Sequence, residues 1–184
     1  MKQSLLLTLL INATILQSCD ERITPKTTPV EVVVTPPTTT PPTTSTTATT
    51  LTARSWQYNE VLLRGGGKTV AQFSRPNSIG LTTDRGLTKV TYKSDGSQET
   101  ELKGIVSKGK WALSKDEKQL TITDPNGGGA IFDVVSISKT KLEISVTLKK
   151  ADFNDDAGWV TKMKGLELPE TSTEYTVVFS FVPI

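Results

Sequence analysis

From Lys141 to Leu148 polar and apolar residues alternate without a break. Leu142, Ile144, Val146 and Leu148 fall on one side and Lys141, Glu143, Ser145 and Thr147 on the other. A period of two is that of a β-strand with one buried and one wet face. Burying the four aliphatic side chains would contribute roughly 6–12 kcal/mol at about 1.5–3 each, an upper bound because the unfolded chain is not fully extended. Tyr175, Val177, Phe179 and Phe181 repeat the pattern before Pro183 stops it. Upstream, Trp56, Tyr58, Val61 and Leu63 mark a first extended strand, turned by Gly65-Gly66-Gly67. Val70 to Phe73 and Ser78 to Leu81 read as short strands, and Leu87 to Lys93 carries Val90 and Tyr92 on one face. Asp95-Gly96 is a strong hairpin signal. Glu99 to Val106 returns from it, and Ser107-Lys108-Gly109 is the next expected turn. Gly109 to Ser114, Leu120 to Ile122 and Ile131 to Ile137 complete the series. Short strands separated by turn residues predict an all-β fold, an antiparallel up-and-down meander closing into a barrel or sandwich.

The expected inward residues are Phe132, Val134, Leu142, Ile144, Val146, Tyr175, Val177 and Phe179. In a hollow barrel of about eight strands they would line a site for one small hydrophobic ligand. In a filled barrel the same residues are core. Lys149 to Thr173 is a long connection before the last strand, and long structured connections often carry function. Within it Trp159, Met163 and Leu166 recur at i, i+4 and i+7, one face of a short helix. That helix either plugs a barrel end or is a lid over a ligand mouth.

The N-terminal third has a different character. Residues 1–18 begin Met1-Lys2 and run through Leu5, Leu6, Leu7, Leu9, Leu10 and Ile11, the pattern of a secretory signal. The apolar run is too short for a bilayer, which needs about 20 residues. Residues 19–53 read as a tether. Everything from Thr35 to Thr50 is Thr, Pro, Ser or Ala, so no apolar face offsets chain entropy and a disordered or polyproline-like linker is expected. At about 3.1 Å per residue it would reach roughly 100 Å. An O-glycosylated stalk is the alternative. The folded domain is expected to occupy 54–184.

Composition narrows the chemistry. The 184 residues contain no histidine and one cysteine, Cys19. Ser-His-Asp and Cys-His catalysis, His-ligated metals and an intramolecular disulfide are therefore excluded. A carboxylate mechanism through Asp133 or Glu143 stays open, but the expectation is a protein that is not an enzyme and carries no cofactor. The net charge of +2 gives no argument for nucleic acid. Lys108, Lys110, Lys115 and Lys118 are interleaved with Asp116 and Glu117, as on a solvated face. Gly67-Lys68-Thr69 is not a phosphate loop, because Leu62 stands where the motif needs its first glycine. Asp152, Asn154, Asp155 and Asp156 fail the calcium-loop template, with Ala157 in place of Gly and Met163 in place of Glu.

Two resemblances follow. Leu16-Gln17-Ser18-Cys19 resembles a bacterial lipobox, which implies that Cys19 carries diacylglycerol and becomes the first mature residue. Asp20 and Glu21 resemble the export signal of surface-exposed lipoproteins in Bacteroidota, implying an outer-membrane lipid anchor at the cell surface or the periplasmic face; by the enterobacterial pattern, Asp20 would instead imply inner-membrane retention, and two acids are also ordinary linker composition. Trp56, Gly109-Lys110-Trp111-Ala112-Leu113-Ser114-Lys115-Asp116, Leu120-Thr121-Ile122, Phe132 to Ser138 and Lys141-Leu142 resemble the lipocalin-like domains of such lipoproteins. That resemblance implies an antiparallel barrel of about eight to ten strands. Two departures separate the chain from true lipocalins: Arg54 stands where they place a glycine two before the first tryptophan, and no arginine follows the last strand.

Overall fold

The computed structural model describes residues 45–75, 86–153 and 155–184. The signal segment, Cys19, the tether through residue 44 and the strand expected at Ser78–Leu81 lie outside the described residues. Among the described residues a short helix, α1 (Thr46–Thr52), leads into nine strands: β1 (Ser55–Gly65), β2 (Lys68–Ser74), β3 (Lys89–Tyr92), β4 (Ser97–Leu102), β5 (Ile105–Leu113), β6 (Gln119–Thr123), β7 (Gly129–Ile137), β8 (Leu142–Lys149) and β9 (Glu174–Pro183). A second helix, α2 (Asp156–Gly165), lies between β8 and β9 after a 3-10 turn at Lys150–Asp152.

Every pairing is antiparallel. The ring runs β1-β3-β4-β5-β6-β7-β8-β9 and closes where β9 returns to β1, giving an eight-stranded barrel. β2 folds back along the C-terminal half of β1, whose N-terminal residues 55–57 pair with β3. Closure removes the ring's exposed edges. The alternation read along β8 and β9 sets their register. Leu142 faces Phe181, Ile144 faces Phe179, Val146 faces Val177 and Leu148 faces Tyr175.

The turns follow from backbone chemistry. Gly66 and Gly67 adopt φ of +55° and +77°, which makes Gly65-Gly66-Gly67 the expected hairpin. Asp95-Gly96 turns β3 into β4, with the Asp95 carboxylate accepting from the Ser97 amide at 2.8 Å. One turn is displaced from expectation. Ser107-Lys108-Gly109 lies inside β5, and the chain instead reverses at Lys103-Gly104, with φ of 52° and 81°. Two successive left-handed residues match the twist of the flanking strands, as two-residue hairpins require.

The tether boundary also moves. Residues 45–53 were expected to be linker, but Thr46–Thr52 is helical. Ser45 caps it, its hydroxyl accepting from the Ala48 amide at 3.0 Å. Threonine is a poor helix former, so the stability comes from packing. Ala48 and Leu51 are buried in the barrel core, and the Trp56 indole donates to the Leu51 carbonyl at 2.9 Å. Residues from Ser45 onward therefore belong to the folded part.

Candidate functional site

Two places were open from sequence: the barrel interior and the β8–β9 connection. Of the eight expected inward residues, Phe132, Leu142, Ile144, Tyr175, Val177 and Phe179 are buried. Val134 and Val146 are half-buried and pack against the same cluster. They meet Trp56, Val61, Leu63, Phe73, Tyr92 and Trp111 in one contiguous core. Aromatic rings lock it: Phe132 meets Phe179 edge-on at 5.9 Å, Tyr92 meets Trp111 at 5.7 Å, and Tyr58 lies 4.4 Å from Phe181. Burial pushes the Tyr92 phenol well above its ordinary pKa, so it stays neutral.

One barrel end is closed by α1. The residues around it are the start of β1, the end of β9 and the turns after β3, β5 and β7. Glu117, in the β5–β6 turn, is held below the ordinary carboxylate range by hydrogen bonds from Ser45 and then Thr47. Arg54 reaches the β7–β8 turn, donating to the Lys139 carbonyl at 2.5 Å. Its Nε is buried without a partner among the described residues.

The other end is closed by α2. Its i, i+4 face does what the sequence implied, with Trp159 and Met163 both 0% exposed. Leu166, the third expected position, is half-buried against the core as the helix C-cap. Asp155 caps the helix start, accepting from the Ala157 and Gly158 amides at 2.8 and 2.9 Å. This gives the acidic run a structural task. Among the described residues no group of three His, Cys, Asp or Glu could hold a metal ion. Trp159 meets Phe153 edge-on at 4.9 Å and lies tilted against Tyr175 at 5.6 Å, and its indole donates to the Ser172 carbonyl at 2.7 Å. The Lys162 ammonium lies 5.7 Å from the Phe153 ring centre, and burial lowers its pKa.

Sequence reasoning named Tyr175 as an inward residue but missed Ser172 and the unpartnered state of both hydroxyls. Tyr175 is 1% exposed and Ser172 is 7% exposed, yet neither hydroxyl has a hydrogen-bond partner among the described residues. Burial raises the Tyr175 phenol well above its ordinary pKa. The only foreshadowing in the sequence was the position of Tyr175 at the start of an inward-facing alternation. Beside them, at the rim, lies a surface depression of about 490 Å³ lined by Lys149, Lys150, Ala151, Phe153, Asp156, Thr173 and Glu174. Asp156 in that rim is paired with Lys150 at 3.1 Å. The carboxylates weighed for catalysis sit elsewhere. Asp133 is exposed and Glu143 pairs with Lys141 at 2.7 Å.

A comparison with protein-family models finds no match to the chain, and a comparison with curated proteins finds none.

Proposed function

We propose that the chain is a membrane-anchored lipoprotein that presents a closed, lipocalin-like barrel to a protein or glycan partner and catalyses no reaction. Acyl chains on Cys19 would hold it, each buried CH2 contributing about 0.8 kcal/mol and more than one chain giving stable attachment. The Thr/Pro-rich segment would be the stalk, and Asp20-Glu21 would direct the protein to the outer membrane and its surface. The observation behind the presentation role is the interior. The inward side chains of the ring form one contiguous cluster, and a helix covers each end. Such a barrel offers its outer surface and rims rather than a calyx. Cys19→Ser tests the anchor: the variant is expected in the soluble fraction, and unchanged membrane fractionation would contradict acylation.

A second reading, binding of a small hydrophobic ligand, has one specific observation in its favour. The orphaned hydroxyls under α2 make that end polar where a filled barrel would be apolar. Native mass spectrometry of the mature chain from its source, searched for a co-purified small molecule, addresses this reading.

A further inference from the structure

Most buried polar groups in proteins find a partner, so two unpartnered hydroxyls within four residues at one barrel end call for a cause. The main chain around them is in order. The Ser172 amide donates to the Pro169 carbonyl at 3.0 Å, and its own carbonyl takes the Trp159 indole at 2.7 Å. Only the side-chain oxygens are left over.

Both residues sit between the same two covers. On one side is α2, through the Trp159 ring against Tyr175. On the other is the β1–β2 turn. A Cβ on Gly66 would come within 2.5 Å of the Ser172 hydroxyl, and one on Gly65 within 3.1 Å of the Tyr175 Cβ. The turn approaches this closely only because it carries no side chains there. The α2 cover rests on few groups: Trp159 and Met163 are its buried residues, while Asp156, Ala157, Gly158, Val160, Thr161, Lys164 and Gly165 are exposed. The rim depression lies alongside, and its wall includes Thr173 and Glu174, the two residues that join Ser172 to Tyr175.

We propose that α2 is a lid over a ligand site whose floor is the Tyr175 and Ser172 hydroxyls, and that the ligand is an apolar molecule carrying one neutral hydrogen-bonding oxygen. This rests on the second reading above and gives it a place and a chemistry. A neutral phenol donates to an alcohol or carbonyl oxygen, and the serine hydroxyl both donates and accepts. Apolar neighbours suit a hydrocarbon body: the Trp159 ring stands 5.6 Å from Tyr175, and Leu168 lies with the Tyr175 Cβ beside Gly65. A carboxylate head is disfavoured, since a buried charge is costly and the rim's Lys150 is already paired with Asp156 at 3.1 Å.

The test uses the full chain with 1-dodecanol as probe and dodecanoate as its charged counterpart, followed by calorimetry. Dodecanol is expected to bind more tightly than dodecanoate. Tyr175→Phe and Ser172→Ala are each expected to weaken dodecanol binding about tenfold, the loss of one hydrogen bond. Without ligand, Tyr175→Phe is expected to melt a few degrees higher, because a buried group without a partner has been removed. A lower melting temperature for unliganded Tyr175→Phe would show that its hydroxyl is already satisfied, and would overturn the proposal. Equal dodecanol affinity in both variants and the parent would also overturn it, leaving ligand binding elsewhere in the barrel intact. If neither probe binds and no small molecule co-purifies, both this site and the ligand-binding reading fail.

Discussion

The two ends of the barrel are closed by opposite means. At the α1 end a helix of weak formers is held by a leucine, a capped start and an indole hydrogen bond to its own last turn. Its leftover is one N–H of an arginine that carries five donors. At the α2 end the helix has a good cap and a deeply buried tryptophan, but two whole hydroxyls beneath it have no partner among the described residues. The first end is built to stay shut. The second leaves two hydroxyls without a partner among the described residues, a kind of group that costs about 1–3 kcal/mol when nothing else pairs it.

The sharpest way to break this contrast is to remove each tryptophan in turn. Trp56 and Trp159 are both 0% exposed, and a buried tryptophan replaced by alanine costs about 3–5 kcal/mol. Trp56→Ala is expected near the top of that range, because it opens β1 and frees α1 together. Trp159→Ala is expected near the bottom, because α2 can lift rather than leave a cavity. Equal losses in denaturant unfolding would erase the distinction. A smaller effect belongs to Leu51→Ala. Its expected cost is about 2 kcal/mol, at the low end for buried leucine since a terminal helix can detach. Hydrogen exchange should then show residues 46–52 unprotected while β8 and β9 remain protected; loss of protection across the sheet would mean α1 is integral to the barrel.

The smallest effect is electrostatic. Glu117 is held below its ordinary value of 4.5 by Ser45 and Thr47. A carboxylate with a lowered folded-state pKa stabilises the fold above its unfolded value and loses that contribution as the pH falls through the lowered one. Amide protection of α1 should therefore be flat near neutrality and fall in acid below about 4.5. Glu117→Gln should remove that acid step, and an unchanged step would assign it to another group.

The barrel was written plainly in β8 and β9, where strict alternation leaves one register that buries all the apolar residues. Trp159 and Met163 were equally plain, because four-residue spacing places both on one helix face. α1 was invisible. Its threonines match the tether in composition, and only contact with the barrel makes Thr46–Thr52 helical. The Lys103-Gly104 turn was missed because Glu99 to Val106 carries no Asn-Gly or Asp-Gly signal. Tyr175 was legible as an inward residue, but its juxtaposition with Ser172 was not. Its meaning depends on α2 and the β1–β2 turn closing over it, a relation between segments far apart in sequence.

The seam between β1 and β9 sets the order of events for a newly made chain. Ile184 donates back to the carbonyl of Ser55 at 3.0 Å, and Trp56 lies opposite Pro183. The first strand of the ring thus waits for the last one, and joining them closes a loop of more than a hundred residues, a step whose entropy cost grows with length and which slows folding. A polypeptide emerging from a ribosome or threading a translocation pore cannot complete this ring until its final segment is through. The late seam therefore makes ring closure the last step, after β9 has become free to meet β1.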